Sequence, residues 1–309
     1  MNKILKIYLN KFCTRYDKDG IIPYLSEDDF TGLIKENFAF KNSSGLIISY
    51  FYYFYEDYKT DKTILFLHGI GPGHTAYLRE INELCKKGYK VLTLDYIGCD
   101  KSEGDSIYSI NEPTKDVIEL LDYLNLKEEI IVIGHSLGGY TALNVINLRE
   151  KIKKAVVISG FYSLKSGLRA ITKLNLMLHP IIKYENNLLK DYSNIDNLAY
   201  LRNTDDKILF IHSLDDNIVS YKFSTGYIKR HVKNNNLSYL INDGKKHNPN
   251  YSMNAVSYMN KIFAEFNKKI KTKELKTFDD KKEYMKDKSP MEMTSQDEIV
   301  WEKIFNFIL

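Results

Sequence analysis

EIIVIGHSLGG, residues 129–139, is the stretch of this sequence that decides its fold. Its apolar first half predicts a buried strand, and residues 137–148 continue at once with a helical pattern. Between them, Gly134, Ser136 and Gly138 fit the G-x-S-x-G pattern in its strand–turn–helix setting. A serine on so tight a turn needs small flanking residues, and the helix N-terminus behind it favours negative charge. The stretch therefore predicts Ser136 as a nucleophile at a strand end, although the motif alone would also fit a simple tight turn.

The rest of the chain alternates short apolar runs with helical patterns. Strands are predicted at 63–67, 90–94, 129–133, 155–159, 207–211 and 237–241, and helices at 75–87, 113–124, 137–148 and 223–233. An earlier strand at 46–55 is expected to pair with 38–40 across a turn at 42–45. Short apolar strands that alternate with helices indicate an α/β fold, with a mostly parallel central sheet and helices on both faces.

One domain is predicted to occupy residues 1–309, with two insertions. Residues 161–206 are helical and rich in apolar residues, and are predicted to form a small helical cap. The second insertion, about 250–294, is helical and then strongly charged, which indicates a solvated helix or flexible loop rather than a binding tail. Residues 295–309 are predicted to form a closing amphipathic helix. Its apolar positions are Ile299, Ile304, Phe305 and Ile308.

Composition and charge limit the classes of partner. With 44% hydrophobic residues, the chain can bury a sizeable core. Its net charge of +4 is too small to indicate a nucleic-acid groove. No apolar run is long enough for a signal peptide or a membrane span, so no stable membrane insertion is expected. A cytoplasmic location is predicted because three cysteines make no disulfide framework in a chain of this length; they are Cys13, Cys85 and Cys99. The oligomeric state stays open.

The loops after two later strands carry the other side chains that a reactive serine needs. A serine hydroxyl is a poor nucleophile until a base takes its proton, and the base needs an orienting acid. The strand at 207–211 is followed by Asp215 and Asp216, and the strand at 237–241 is followed by His247. The carboxyl ends of parallel strands meet at the edge where such sheets bind ligands. The chain order of serine, acid and histidine is the order expected for a nucleophile on this kind of turn.

Five landmarks occur in order between residues 63 and 250: His68-Gly69, Asp95-Tyr96-Ile97-Gly98 with Ser102, GHSLGG at 134–139, Asp216 with Ile218-Val219, and His247. In this order they resemble the α/β-hydrolase superfamily. The resemblance is nearest to its branch of serine-aminopeptidase-like proteins, lysophospholipases and monoacylglycerol lipases. It implies an α/β-hydrolase fold and a serine hydrolase that cleaves carboxylic esters through an acyl-enzyme. It also implies a small-molecule ester as the partner and no cofactor.

The resemblance assigns roles around the serine. It makes Asp216 rather than Asp215 the acid, because the family's acid stands two residues before the Ile/Val pair. It takes the two oxyanion-binding N–H groups from Leu137, after the nucleophile, and from Ile70, after the His-Gly pair.

Substrate contacts are expected from the loop after the first central strand, from the turn and from the cap. The predicted residues are Gly69, Gly71, His135, Leu168 and Ile171. The apolar cap side chains either shape an acyl-chain pocket for lipid-like or short-acyl esters, or simply pack the cap onto the domain. They are Leu168, Ile171, Leu174, Leu176, Met177 and Leu178.

Four other histidines compete with His247 for the role of base. His231 lies in a segment rich in Lys and Arg and is expected to be solvated, whereas His212 ends a strand and is expected to be packed. His135 is part of the turn itself, and His179 marks a bend in the cap. None of the four follows the acid at the end of a late strand, so His247 is the predicted base.

Other function classes have weaker support. Residues 71–76, GPGHTA, fit the G-x-G-x-x-A pattern of a dinucleotide-binding loop, and the next strand ends at Asp95. The glycines begin several residues beyond the strand and Pro72 would stiffen the turn, so an oxidoreductase is a remote alternative. Aminopeptidase and thioesterase activities use the same triad, and a non-catalytic binding protein is a further alternative. No metal site is expected, because the histidines and cysteines lack ligand spacing.

Overall fold

The computed structural model describes residues 2–58, 61–172 and 178–309. The predicted cap residues Leu174, Leu176 and Met177 lie outside these ranges. Within them, no helix combines the length and the apolar character that crossing a membrane requires.

In the described part of the chain, eight strands form one sheet: β1 (Ile34–Lys41), β2 (Ile47–Phe54), β3 (Thr63–Leu67), β4 (Lys90–Leu94), β5 (Ile130–His135), β6 (Lys154–Ile158), β7 (Lys207–Ser213) and β8 (Leu237–Asn242). Their order is β1-β2-β4-β3-β5-β6-β7-β8. The β1–β2 and β2–β4 pairs are antiparallel, and all the other neighbouring pairs are parallel. The predicted mostly parallel sheet is therefore confirmed.

Thirteen α-helices accompany these strands in the same ranges: α1 (Lys3–Phe12), α2 (Leu78–Lys86), α3 (Glu112–Leu124), α4 (Leu137–Leu148), α5 (Leu164–Thr172), α6 (His179–Leu188), α7 (Lys190–Ser193), α8 (Asn197–Asn203), α9 (Thr225–His231), α10 (Met253–Lys271), α11 (Phe278–Lys286), α12 (Pro290–Met293) and α13 (Glu298–Ile308). Local sequence signals set many of the ends. The Ser252 side chain accepts a hydrogen bond from the third residue of α10, and Asn125 ends α3 in the left-handed conformation.

The centre of the sheet is covered on both faces, which explains why its central strands are largely apolar. Leu65 and Leu67 of β3 pack into a cluster that α3 and α4 complete on one face. The alternate residues Ile64 and Phe66 pack into a cluster with α2 and α13 on the other face. Because successive side chains of a strand point to opposite faces, a strand between two helical layers has few positions left for polar residues.

Several element boundaries differ from the prediction. Residues 75–87 do not form one helix, because a 3₁₀ turn at His74–Tyr77 precedes α2. The first hairpin is longer than expected, with all eight residues of β1 paired to β2. β7 continues to Ser213, which brings the following acidic loop closer to the sheet edge.

The order in which strands are added to the sheet changes side at β3. From β3 it adds β4 on one side and then crosses over to add β5 on the other side. The crevice above the carboxyl ends of β3 and β5 is therefore a topological switch point, where open α/β sheets bind ligands. The loop that begins at His68 and the turn at Ser136 both leave the sheet at this crevice.

The segment between β6 and β7 contains α5, α6, α7 and α8. Leu168 of α5 and Ile181 of α6 are buried in an apolar cluster that also takes in Tyr8 of α1 and Leu137 of α4. The predicted helical cap is thus packed over the start of α4, with the N-terminal helix against it.

The predicted solvated insertion is more ordered than expected. Helices α10, α11 and α12 enclose a small apolar cluster built on Ile262, Phe266, Met285 and Met293. The prediction for the last helix was wrong at Ile299, which is 75% exposed. Val300, Trp301, Ile304 and Ile308 form the buried face of α13 instead.

Candidate active site

The glycines of the turn between β5 and α4 are required by close backbone packing. A Cβ atom added at Gly138 would lie 2.0 Å from the carbonyl oxygen of Leu67 in β3. A Cβ atom added at Gly134 would lie 2.1 Å from the carbonyl oxygen of Gly138. No real side chain tolerates such approaches, so only glycine allows α4 to start directly over the sheet edge.

Ser136 sits at the point of greatest backbone strain in this turn. Its φ of 56° and ψ of −115° lie outside the regions that L-residues usually occupy. The turn is held by hydrogen bonds on both sides, since the Ser136 N–H donates to Ile158 at 2.8 Å and the Tyr140 N–H donates to Ser136 at 3.1 Å. Strain maintained in this way is common at functional sites. It lifts the Ser136 side chain above the end of β5.

Asp216 and His247 are brought together from the loops after β7 and β8. The Asp216 Oδ2 atom lies 2.9 Å from the His247 Nδ1 atom. The other carboxylate oxygen of Asp216 accepts hydrogen bonds from the N–H groups of Ile218 and Val219. An ionised carboxylate can only accept, so the proton of a neutral His247 sits on Nδ1 and its Nε2 is left as an acceptor.

The charge of Asp216 is stabilised by two histidines. Burial opposes its ionisation, but hydrogen bonds from His212 and His247 outweigh that effect and hold the pKa of the carboxyl well below its usual range. The Nε2 atom of His212 lies 3.2 Å from the same carboxylate oxygen that contacts His247. His212 is fully buried, as its position at the end of a strand predicted.

Asp215 faces away from His247. Its Oδ1 atom accepts hydrogen bonds from the Ser213 hydroxyl and from the Lys246 N–H, and its Oδ2 atom lies 3.0 Å from the Lys246 ammonium. Asp215 therefore ties together the loops that carry Asp216 and His247, while Asp216 itself contacts the imidazole.

Leu137 and Ile70 carry the N–H groups expected to bind an oxyanion. Both residues belong to one apolar cluster, in which Leu137 is buried and Ile70 is half-buried. A Cβ atom added at Gly69 would lie 3.2 Å from the Ser136 Cβ atom, so this loop runs directly beside the serine. Neither N–H group donates to an acceptor in the described part of the chain. Gly71 has open space around it.

Tyr77 is the centre of a chain of hydrogen bonds behind the serine, and no sequence pattern predicts this role. The Gly69 N–H donates to the Tyr77 hydroxyl at 3.1 Å, and this hydroxyl lies 2.9 Å from the His135 Nδ1 atom. The His135 Nε2 atom lies 2.8 Å from the carbonyl oxygen of His247. Nothing in the sequence distinguishes this tyrosine from the many others in the chain.

His135 was predicted to contact substrate, but the structure gives it different contacts. Both of its ring nitrogens bind protein groups, and its ring packs 4.8 Å from the ring of His247. Burial, followed by the nearby His247, lowers the pKa of His135 to about 3. A neutral imidazole donates from one nitrogen and accepts at the other, as this bridge requires.

The hydroxyl of Ser136 forms no hydrogen bond with His247 within the described ranges. Contacts of this kind are often long in proteins without substrate and tighten when the reacting complex forms. His135, which precedes Ser136 in the chain, contacts the backbone of His247.

The cap residues predicted to contact substrate lie against the same site. Leu168 is 1% exposed and Ile171 is half-buried, and both belong to the apolar cluster that contains Leu137. Leu178 is also buried in this cluster. Packing of the cap onto the domain accounts for these contacts by itself.

The environment of Asp95 argues against a dinucleotide site. Asp95 is fully buried, and its Oδ1 atom accepts a hydrogen bond from the His74 N–H and lies 2.8 Å from the His74 Nδ1 atom. A Cβ atom added at Gly73 would lie 2.1 Å from the same oxygen. Asp95 thus anchors the loop internally and has no free edge for a ribose hydroxyl.

No group of three His, Cys, Asp or Glu side chains that could hold a metal ion occurs among the residues that the structure describes.

Comparison with known families supports the hydrolase resemblance. The family model described as serine aminopeptidase, S33, matches residues 58–207. The match includes Ser136 and ends before Asp216 and His247. A 2-hydroxy-6-oxononadienedioate/2-hydroxy-6-oxononatrienedioate hydrolase from Escherichia coli O81 is 34% identical over 111 residues, which is 32% of this chain and 36% of that protein. The chain thus spans about a third of the length of this curated relative.

Solved structures match more of the chain at lower identity. An esterase from Pyrococcus furiosus aligns with a TM-score of 0.58 and 20% identity over 84% of this chain and 98% of its own. Est1E from Butyrivibrio proteoclasticus, solved with ferulic acid bound, aligns with a TM-score of 0.55 and 17% identity over 74% of this chain and 97% of its own. At these identities the likeness establishes the fold.

Proposed function

We propose that this chain, which resembles the α/β-hydrolase superfamily in fold and in its matched residues, is a serine hydrolase that cleaves carboxylic esters. Ser136 is the nucleophile, His247 the general base and Asp216 the acid that orients the base. The substrates are small esters with a lipid-like or short acyl group.

The observation that carries this proposal is the contact between Asp216 and His247 beside the strained serine turn. The 2.9 Å contact leaves the Nε2 atom of His247 as the acceptor for a proton. The serine, the acid and the histidine each follow a strand of one sheet, in the chain order that this chemistry needs.

The reaction proceeds in two halves. His247 Nε2 takes the proton of the Ser136 hydroxyl as its oxygen attacks the acyl carbon, and the protonated imidazole then gives this proton to the departing alcohol. Water enters, loses a proton to His247 and attacks the acyl-enzyme, which releases the carboxylic acid and restores the Ser136 hydroxyl. Asp216 stabilises the imidazolium in both halves.

Backbone N–H groups stabilise the negative charge that forms on the substrate oxygen. Those of Leu137 and Ile70 are without acceptors in the described residues, and both residues belong to one apolar cluster. A donor of this kind is typically worth about 3 kcal/mol in the transition state. The apolar surroundings strengthen each hydrogen bond by excluding water.

The preference for an apolar acyl group rests on the cluster under the cap. Leu168 and Ile171 of α5 lie in the same apolar cluster as Leu137 and Ile70. An acyl chain bound beside the two N–H groups would therefore contact hydrocarbon side chains.

Labelling with a fluorophosphonate probe tests the nucleophile. Such probes phosphonylate an activated serine, so the wild-type protein is expected to be labelled and Ser136→Ala is expected to remain unlabelled. Ser257→Ala, an exposed serine of α10, is the matched control and should be labelled like the wild type. A folded wild-type protein that takes no label would favour the non-catalytic binding protein.

An aminopeptidase is the second candidate, favoured by the description of the matching family model. Turnover of p-nitrophenyl butyrate, a butyryl thioester and an aminoacyl p-nitroanilide by the same preparation separates esterase, thioesterase and aminopeptidase activities. We expect the oxygen ester to give the highest kcat/KM. A preference for the anilide would replace the esterase proposal.

A further inference from the structure

A cavity of about 450 Å³ lies between α5, α8 and the segment leading into α9. Of the ten lining residues that the structure describes, four are cationic and none is acidic. The cations are Lys165 and Arg169 of α5, Lys222, and Arg230 of α9. A recess lined by one sign of charge concentrates counter-ions of the other sign.

The four cations are not neutralised by the protein. None of them forms an ion pair with a carboxylate in the part of the chain that the structure describes. The helices around this cavity present Lys and Arg side chains to it.

The positive charges converge on one aromatic ring. The guanidinium carbon of Arg169 lies 5.4 Å from the centroid of Phe223, and the ammonium of Lys222 lies 5.6 Å from the same centroid. Arg230 donates a hydrogen bond to the carbonyl oxygen of Lys222 at 2.9 Å, which fixes a third cation nearby. The ring relieves part of the repulsion between the charges but cannot neutralise them.

Arg169 has an unused donor at this place. Its Nε atom is buried and has no hydrogen-bond partner in the described residues. Buried donors of charged groups are normally satisfied by the protein, by water or by a ligand. An anion in the cavity would supply the missing acceptor.

This cavity borders the apolar cluster of the candidate active site at Phe223 but has its own polar lining. The Leu164 and Leu168 side chains of α5 pack into the apolar cluster beside Leu137, whereas Lys165 and Arg169 project to the neighbouring side of the helix and line the cavity. Stacked Tyr162 and Tyr227 form part of its wall, with ring centroids 5.3 Å apart.

We propose that this basic cavity binds a phosphate-type anion, carried by a phosphorylated small molecule or by a lipid headgroup. A multiply charged anion engages several cations at once, and the planar guanidinium of arginine matches phosphate oxygens in a two-pronged contact. A single carboxylate would leave most of the positive charge unpaired. The proposal does not rest on the proposed esterase activity.

Calorimetric titration of the whole chain with inorganic pyrophosphate tests the site. We expect saturable binding that weakens as salt is raised, and the double variant Arg169→Gln/Arg230→Gln should bind about tenfold or more weakly because it loses two charge-assisted contacts. The matched control is Arg149→Gln/Arg202→Gln, which removes the same charge from residues outside the cavity lining and should bind like the wild type.

Sedimentation with vesicles separates the two sources of phosphate. Vesicles of phosphatidylcholine with and without phosphatidic acid are used with the same three proteins. If the protein binds phosphatidic acid more strongly than pyrophosphate, and this binding is lost in Arg169→Gln/Arg230→Gln, the site is assigned to a lipid headgroup. If it binds pyrophosphate more strongly, and that binding is lost in the same variant, the site is assigned to a soluble phosphorylated molecule.

Two results would overturn the proposal. One is a wild-type protein that binds neither pyrophosphate nor phosphatidic acid. The other is a double variant that binds as tightly as the wild type while its thermal unfolding is unchanged. Hydrolysis of p-nitrophenyl butyrate by the double variant is expected to equal that of the wild type, so loss of the anion site and loss of catalysis are measured separately.

Discussion

At the scale of single residues, the Tyr77 hydroxyl joins two parts of the candidate site that are distant in the sequence. It accepts from Gly69 in the loop expected to bind the oxyanion and contacts His135, which in turn binds the backbone of His247. The position of the base relative to the oxyanion loop therefore depends on one phenolic oxygen. Misplacement by a fraction of an ångström is costly in catalysis, because the reacting atoms must be aligned.

Tyr77→Phe is expected to lower kcat for p-nitrophenyl butyrate about tenfold while changing KM less than about twofold. The variant keeps the ring packing but leaves the Gly69 N–H and the His135 Nδ1 atom without their partner. Steady-state kinetics measure both constants. Tyr55→Phe is the control, because that hydroxyl contacts Asn82 on α2 at 2.8 Å, away from the site. Equal losses in the two variants, or no loss in Tyr77→Phe, would contradict a positioning role.

Asp216 and Asp215 are adjacent but have different partners, and their amide variants should differ accordingly. Asp216→Asn removes the negative charge that stabilises the imidazolium and the preferred tautomer of His247, so kcat should fall roughly a hundredfold or more. Asp215→Asn retains an oxygen that can accept from the Lys246 N–H and loses only an ion pair with a partly exposed lysine, so its kcat should stay near the wild-type value. The reverse pattern of kcat values would transfer the role of the acid to Asp215.

At the scale of elements, α13 shows how burial selects one face of a helix. Ile304 is fully buried against the sheet, whereas Ile299 on the same helix is 75% exposed. Hydrophobic residues spaced along a helix do not identify the buried face when apolar side chains occur on several sides, as they do in EIVWEKIFNFI.

Alanine substitutions in α13 should therefore have unequal effects on the free energy of unfolding. Ile304→Ala is expected to lower it by about 3 kcal/mol, because the change removes buried hydrocarbon and leaves a cavity. Ile299→Ala should change it by less than about 0.5 kcal/mol, because the side chain is already in water. Urea denaturation followed by circular dichroism measures both values. Similar losses would show that α13 is packed differently.

At the scale of the whole molecule, a buried carboxylate links the N-terminal helix, the cap and the core. Glu185 of α6 accepts hydrogen bonds from the hydroxyls of Tyr8 in α1 and Ser109, and from the amide of Asn111. Asn111 in turn accepts from the Tyr140 hydroxyl of α4. These polar contacts fix the cap relative to the helix that begins after Ser136.

Stability against pH is also a property of the whole chain, and Asp116 contributes to it. Burial, followed by repulsion from Glu112, raises the pKa of Asp116 to about 8. One of its oxygens accepts from the Ile97 N–H at 2.8 Å, while the other is buried without a partner in the described residues. A carboxyl whose pKa is raised by folding stabilises the fold at low pH, and this contribution is lost as pH rises from about 4 to 8.

Asp116→Asn should remove the loss of stability that occurs as the pH rises, because the amide stays neutral and can still accept a hydrogen bond from the Ile97 N–H. The free energy of unfolding of the variant relative to the wild type should therefore increase by about 1 kcal/mol for each pH unit between pH 5 and 8. Denaturation curves at several pH values measure the difference. Asp122→Asn, an exposed residue of the same helix, is the control and should follow the wild type at every pH. A difference that is independent of pH would mean that Asp116 is ionised throughout.

Much of the fold could be predicted from local patterns. The strands at Thr63–Leu67 and Lys90–Leu94 and the helix at Leu137–Leu148 begin and end at the predicted residues, because a buried strand between two helical layers is largely apolar and because glycine marks the turn. The full length of the hairpin, the packing of the second insertion and the exposure of Ile299 could not be predicted in the same way, because they depend on what each segment packs against.

By itself, the sequence determined the succession of strands and helices, the glycine-flanked turn at Ser136, and the order in which a serine, an acid and a histidine follow three strands. These are local properties, set by hydrophobic periodicity and by the steric demands of a tight turn. Only the tertiary structure decided that Asp216 faces His247 while Asp215 faces Lys246, and that Tyr77 and His135 bridge two loops. It also gathered around one cavity four cations that form no ion pair with a carboxylate of the described residues. The physical reason is that hydrogen bonds and charges act over a few ångströms in space, and the folded sheet alone decides which distant residues come that close.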